Sequence, residues 1–444
     1  MHPSRVIRGK TTELLNGRHI LLGISGSIAA VEVPRIAREL LRHGAEVRAV
    51  MSSEAQRLVS PEAIQFATGH PPITQLTGDV EHVSLLGPGP DRADLYLIAP
   101  ATANTIAKIA HGIDDTPVTS CASIALGSRV PILLAPAMHA QMRQNPAVSE
   151  ALAKLRSWGV GIIESQAAEG EEKLATPEDV AAAVLHRLGR GPWKDRRLVV
   201  IGGAAREPID EVRSISNESS GVTAVSLATQ GYFRGAEVEL WMGHHSTTIP
   251  RYLDVRKWRS VDDLLRLARE RQRTLAEAAA VLVPAALADY TVEAQRGKIS
   301  SREHPEITLR LRRTAKVLPQ LRALASRPVV LIAFKLESTT DPAVLEDVAR
   351  TTRKEADVDW VVANDVGTMG SSEIAALVLP PHGSRFWLRG TKFEFAGKLL
   401  DDIARDLPTT SFAPGVPKGR PGRRAGGPDV PPSQRRQGRG RRRR

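Results

Sequence analysis

The stretch "LLGISGSIAA", residues 21–30, reads as a buried strand that breaks on glycine and resumes as a helix. Gly23 and Gly26 are not followed by the third glycine of a dinucleotide fingerprint, and no Gly-Lys-Ser/Thr of a P-loop is present. Strand, Gly/Ser turn and helix N-terminus still outline an anion site, because free N–H groups and the helix dipole point at whatever sits there. Taken alone, the stretch is equally a plain strand-to-helix turn. A second stretch, "DRRLVVIGGAA" at 195–205, repeats its pattern of charged residues, a β-rich apolar run and a glycine turn. Each is the opening of an α/β domain.

Outward from the first opening, short apolar runs at 20–23, 47–51, 95–99 and 132–135 alternate with helical stretches such as "VEVPRIARELLRHG" and "AVSEALAKLRSWG". The second half alternates in the same way at 198–201, 237–241, 279–283, 329–333 and 359–363. It then adds two strand-like runs, "EIAALVLP" and "SRFWLRG", and a last helix near 394–405. Strands alternating with helices predict βαβ units. The fold expected is α/β, with two open, doubly wound, mostly parallel sheets, flavodoxin-like or Rossmann-like, that bind ligands at the carboxyl ends of their strands. The charged Gly/Pro junction "HRLGRGPWKDRR" separates a first domain, 17–190, from a second, 195–407.

The formal net charge of +12 invites a nucleic-acid reading, and its distribution argues against one. Residues 413–444 hold eleven Lys/Arg against a single acidic residue, Asp429, so this tail carries +10 of the +12. It is rich in Pro, Gly and Arg and has almost nothing to bury, so disorder is expected, with at most weak, salt-sensitive, nonspecific contact with nucleic acid. A single cysteine, Cys121, rules out an intrachain disulfide and a cysteine-based zinc cluster. The first residues hold no apolar signal region and no run is long enough to span a membrane, so a cytoplasmic protein with no membrane partner is expected.

Chemistry concentrates in the loops that follow the strands. In the first half these are "SGSIAA", "MSSEA", "APATANT" and "APAMHAQM", where small residues and hydroxyls suit a flat, phosphorylated cofactor. The segments "GISGSIAA", "HVSLL", "PATANT" and "PAMHAQM", in this order, resemble the flavin-dependent cysteine decarboxylases, whose fold binds FMN. The resemblance implies an FMN phosphate cradle at Ser25, Gly26, Ser27 and Ile28, assisted by Ser52 and Ser53. Pro100, Ala101, Thr102, Ala103, Asn104 and Thr105 would line the isoalloxazine. His82, in "EHVSLL", matches the active-site histidine of that family.

In the second half "GGAAREPIDEVRSISNESSG", "PAALADY", "GKIS", "AFKLES" and "ANDVG" are similar to the phosphopantothenate–cysteine ligases that are fused to such decarboxylases in bifunctional coenzyme A biosynthesis proteins. The resemblance covers roughly residues 18–405. It implies that CTP activates the carboxylate of 4′-phosphopantothenate as an acyl-cytidylate, which the amine of L-cysteine then attacks. Asn217 would position the acyl-cytidylate, and Lys298 would neutralise the triphosphate or the developing charge. Asp289 and Phe334 would contact the nucleotide, with Asn364 and Asp365 as further candidates. Mg²⁺ would come with the nucleotide phosphates and need few protein ligands. The family also implies a homo-oligomer with trimeric flavin domains and dimeric ligase domains.

Three departures from the decarboxylase pattern stand out. His139 replaces the substrate-binding asparagine, where it can donate a hydrogen bond to the substrate carboxylate. Arg143 replaces the Trp that closes the same motif, and the flap "IIESQAAEGEEKLATPEDV" lacks the expected cysteine, leaving Glu169, Glu171, Glu172 and Lys173 as its proton-exchanging groups. The readings that follow are a bifunctional ligase and decarboxylase, an active ligase with an impaired decarboxylase, or a flavin-binding regulatory or scaffold protein. Retention of "ISNESSG" with Lys298 argues against the last. The adjacent His244 and His245 of "GHHS" would point to opposite faces of a strand, and no metal site is expected from them.

Overall fold

The computed structural model describes residues 2–164, 166–168, 171–304 and 306–408, so the basic tail at 413–444 lies outside the described residues. The first sheet has five parallel strands in the spatial order Glu46–Met51, His19–Ile24, Leu95–Ala101, Ile132–Pro136 and Gly161–Ile162. In chain order this is 2-1-3-4-5, the flavodoxin-like order, which reverses between the first and third strands. The second sheet has eight strands, ordered Asp254–Lys257, Glu237–Met242, Arg197–Gly202, Ala280–Val283, Val330–Glu337, Trp360–Asp365, Glu373–Leu379 and Phe386–Thr391. The first six run parallel and the last two antiparallel. This is the Rossmann order 3-2-1-4-5-6 with an antiparallel extension, and it reverses between Arg197–Gly202 and Ala280–Val283.

The sequence explains why the opening strand is central. In His19–Ile24 every residue but the first is buried, as a strand covered by helices on both faces requires. On one face the helix Val33–Arg42 buries Val33, Ile36, Ala37, Leu40 and Leu41, the i, i+3, i+4, i+7, i+8 stripe of an amphipathic helix. On the other lies Pro117–Gly127, started by a capping box between Thr116 and Thr119 and by Pro117 in its first turn. Ile20, Leu22 and Ile24 are at most 1% exposed, and each contributes about 1.5–3 kcal/mol relative to an exposed position. Gly23 has no room for a side chain, because a Cβ there would sit 2.5 Å from the Tyr96 hydroxyl, which donates to the Val118 carbonyl at 2.9 Å.

Residues before Gly17, which the sequence reading leaves outside the first domain, pack onto it. Leu15 is buried in its core, and the Arg8 guanidinium donates to the Gly44 carbonyl. The two halves meet through helices. Pro177–Leu188 covers the first sheet with Val180, Ala181, Val184 and Leu185 and packs on Val222–Phe233 of the second half. Within the Gly/Pro junction Trp193 is buried, its indole N–H donating to the Leu400 carbonyl at 2.9 Å. Among the described residues no helix is long and apolar enough to cross a membrane.

Candidate active sites

At the reversal point of the first sheet, the loops after the first and third strands are tied together by Ser25. Its buried hydroxyl donates to the Pro100 carbonyl at 2.7 Å and accepts from the Thr102 N–H at 3.1 Å. With its proton given to Pro100, the Ser25 hydroxyl holds Pro100–Thr102 beside the Gly26 turn, which leaves backbone N–H groups and Ser27 as the donors of the expected phosphate cradle. Ser27 caps the short helix Ile28–Glu32 through the Ala29 N–H, and Thr102 caps Ala103–His111 through the Thr105 N–H. Two helix starts therefore open onto one crevice. Gly26 is needed there because a Cβ would lie 2.3 Å from the Glu54 Cβ. Ser52 caps the turn that carries Glu54, and Ser53 donates to the Glu54 carboxylate.

Pro100, Ala101, Ala103 and Thr105 are buried, and Asn104 is exposed on the first turn of its helix. Ile28, 74% exposed, leaves a large apolar side chain at the mouth of the loop. His82 lies on the short helix Glu81–Leu86, which packs on Pro117–Gly127; its Nδ1 is buried and has no partner among the described residues. A flat group with a phosphate fits these features: small walls, two helix starts, an uncovered apolar side chain and an orphaned imidazole nitrogen.

His139 stands at the N-cap position of the turn Ala140–Arg143, and the strand Met138–His139 pairs with the flap strand Glu171–Lys173, His139 opposite Glu171. With Gln166–Ala168 these form a three-stranded sheet. This backbone pairing of motif and flap has no signal in the sequence, since strands of two or three residues carry no periodicity. Glu169 lies outside the described residues. Cys121 is buried on Pro117–Gly127, and burial pushes its thiol up to about 12, so it is inert.

The second crevice lies at the reversal point of the second sheet. The chain leaves Arg197–Gly202, forms a hairpin of Arg206–Pro208 with Ser214–Ser216, and reaches Asn217. The Asn217 amide donates to the Leu287 carbonyl at 2.9 Å, in the loop after Ala280–Val283. Asp289, at the end of that loop, is exposed and pairs with Lys316 at 3.3 Å. Phe334 is half-buried near the carboxyl end of the next strand. Lys298 is exposed and makes no ion pair among the described residues. Asn364 and Asp365 stand at the end of the sixth strand, but each is engaged locally: Asn364 donates to the Thr368 hydroxyl at 2.7 Å, and Asp365 caps the turn Val366–Thr368 through the Gly367 N–H.

Three residues here, Arg206, Asp210 and Arg213, are not among the candidates read from the sequence, and His244, weighed there only as a metal ligand, joins them. Arg206 lies directly across the hairpin from Ser216, next to Asn217, and its guanidinium meets the His244 Nε2 at 2.6 Å. Burial, then Arg206 and His245, hold the His244 pKa below the ordinary imidazole value. Asp210 and Arg213 form the turn of the hairpin. All four sit in the quoted motifs, and only their mutual contacts distinguish them. Among the described residues no group of three or more His, Cys, Asp or Glu could hold a metal ion.

Against known proteins, residues 8–189 match the Flavoprotein family and residues 193–407 match the DNA/pantothenate metabolism flavoprotein C-terminal domain. The chain is 38% identical over 408 residues to the coenzyme A biosynthesis bifunctional protein CoaBC of Thermococcus kodakarensis, covering 92% of this chain and 100% of that protein. It is 33% identical over 413 residues to the protein of the same name from Methanocaldococcus jannaschii, covering 91% of this chain and 98% of that one. Among solved structures, the FMN-dependent cysteine decarboxylase SpaF is 32% identical and covers 38% of this chain and 99% of its own, at a TM-score of 0.33.

Proposed function

This chain belongs to the CoaBC family of bifunctional coenzyme A biosynthesis proteins, and on that premise we propose how its two sheets divide the work between ligation and decarboxylation. It is a bifunctional enzyme, a phosphopantothenoylcysteine synthetase and a decarboxylase of the product. The observation that carries the division is that each sheet has its own reversal point and its own set of motif loops. Ligation belongs to the second crevice and decarboxylation to the first.

Amide formation needs the carboxylate activated, because its oxygen is a poor leaving group. A carboxylate oxygen of 4′-phosphopantothenate attacks the α-phosphorus of CTP and pyrophosphate leaves. The cysteine amine then attacks the acyl carbon, loses a proton, and CMP leaves. Asn217, oriented by Leu287, positions the acyl-cytidylate, while Lys298 offsets negative charge that develops at phosphorus. Asp289 and Phe334 contact the nucleotide. Mg²⁺ arrives with its phosphates.

In the first crevice, the Gly26 turn with Ser27 and the helix start after it would hold the FMN phosphate, assisted by Ser52 and Ser53, and Pro100 to Thr105 would line the ring. When bound, FMN supplies the reversible electron sink that a cysteinyl carboxylate otherwise lacks. His82 presents its orphaned Nδ1 for proton exchange, and His139 donates to the substrate carboxylate. Exposed Ile28 and Val31, 74% and 53% accessible, support a homo-oligomer in which flavin domains meet near this loop.

Anaerobic incubation with 4′-phosphopantothenate, cysteine, CTP and Mg²⁺, following pyrophosphate and CO2 separately, tests the division. Both should appear. Pyrophosphate without CO2 would favour a ligase with an impaired decarboxylase, the reading to which His139, Arg143 and a flap without cysteine point.

A further inference from the structure

The turn of the hairpin holds a carboxylate that its own geometry does not require. Asp210 Oδ1 accepts from the Val212 N–H at 2.8 Å and the Arg213 N–H at 2.5 Å, which closes the turn as an Asx motif. An asparagine would do this equally well. The second oxygen, Oδ2, takes no part in the backbone bonds of the turn. It accepts from the Arg213 guanidinium at 2.6 Å and from the Ile299 N–H at 3.2 Å. Its side chain is fully out of solvent, although Glu211, Val212 and Lys298 around it are exposed. Ile299 is the residue immediately after Lys298.

Further links join the same two segments. The Arg213 guanidinium also donates to the Ile299 carbonyl at 3.1 Å, and the Gln295 N–H donates to the Ile209 carbonyl at 2.9 Å. The Gly297 N–H donates to Glu211 at 3.2 Å, and the Thr291 hydroxyl to Glu207 at 2.7 Å. Lys298 is thus gripped through its backbone on both sides, by Glu211 at Gly297 and by Asp210 at Ile299, while its side chain stays free. The other arm of the hairpin leads, four residues after Arg213, to Asn217. One turn therefore holds the stems of both groups assigned to ligation, on segments about eighty residues apart in the chain. Hydrogen bonds to the Arg213 and Val212 N–H groups pull the Asp210 carboxyl down to about 2, so the anion persists throughout the neutral range.

We propose that Asp210 is a positioning residue for ligation: its second oxygen locks the Lys298 loop to the hairpin that carries Asn217, so that the ammonium and the amide are held at one separation when charge develops at phosphorus. The proposal rests on the assignment of Lys298 and Asn217 to the ligase reaction. A group that stabilises the transition state loses effectiveness when displaced by about 1 Å, whereas ground-state binding, spread over many contacts, is little affected.

Asp210→Asn isolates this role, because the amide oxygen can still close the turn while its NH2 confronts two donors, Ile299 N–H and Arg213. Pyrophosphate release by the full chain should fall ten- to a hundredfold in kcat. The KM values for CTP and 4′-phosphopantothenate should stay within about threefold, the ligase melting transition should be retained, and CO2 release from supplied 4′-phosphopantothenoylcysteine should be unchanged. Glu211→Ala, at an exposed position on the other side of Lys298, should lower kcat in the same selective way by a smaller factor, and it decides the matter should the Asp210 variant not fold. Unchanged kcat in the folded Asp210 variant, or losses confined to KM, overturns the proposal. Lys298→Ala separates the two levels of inference: if it leaves pyrophosphate release intact, the assignment of Lys298 itself fails. If it is impaired while Asp210→Asn and Glu211→Ala are not, only the positioning role fails.

Discussion

The imidazole of His186 lies flat on the phenol ring of Tyr232, centroids 4.2 Å apart and planes within 11°, and Tyr232 stacks in turn on Tyr252 at 4.7 Å. His186 lies in the last turn of the last helix of the first half, and Tyr232 in the last turn of the first helix of the second. Burial holds the His186 pKa below its ordinary value, opposed by a bond to the Tyr232 carbonyl and by Asp195 and Glu237, and reinforced by Lys194. The folded state thus prefers the neutral ring. The contribution of this contact is complete above the unfolded imidazole pKa of about 6.5 and is lost as pH falls below it. Scanning calorimetry should show the two halves melting more independently at pH 5 than at pH 8. His186→Phe should remove that difference, since phenylalanine stacks without titrating.

Separate crevices predict separable activities. Lys298→Ala should lower CTP-dependent pyrophosphate release by at least a hundredfold and leave flavin absorbance and CO2 release from supplied 4′-phosphopantothenoylcysteine unaltered, the scale expected for one preorganised cation. His82→Asn should have the opposite pattern, with CO2 release falling about a hundredfold or more as proton exchange is lost. A folded variant that loses both activities would mean that the two sites are shared.

Ser25→Ala removes the hydroxyl that joins Pro100 to Thr102 and leaves a buried C=O and a neighbouring N–H without that partner. A loss of about 1–3 kcal/mol is expected, read as a lower melting temperature of the flavin half. Because the same hydroxyl aligns two loops of the crevice, FMN affinity measured by fluorescence titration should weaken as well. Ligation should not change.

His139→Asn restores the residue expected from the decarboxylase resemblance and keeps a hydrogen-bond donor at the same point of the backbone, opposite Glu171 of the flap. CO2 release should persist within a few fold. His139→Leu, which cannot donate, should lower it at least tenfold, and equal activity in the two variants would remove His139 from the site.

What the sequence determined by itself was local and periodic. Buried apolar runs such as 20–23 and 198–201, each leading into a glycine turn, identify parallel strands because both faces of such a sheet are covered and no polar alternation survives. The stripe of Val33, Ile36, Ala37, Leu40 and Leu41 identifies its covering helix. The motif residues could be named from the same string, since loops at strand ends carry the chemistry. Strand order, and with it the location of each crevice, came only from the folded chain, because pairing between distant strands leaves no period to read. The same holds for the Ser25 link to Pro100, the orphaned Nδ1 of His82, the Arg206–His244 contact and the grip of Asp210 on Ile299. A serine that closes two loops and a serine that holds a phosphate look identical in one dimension. They differ in whether a carbonyl 75 residues away takes the proton.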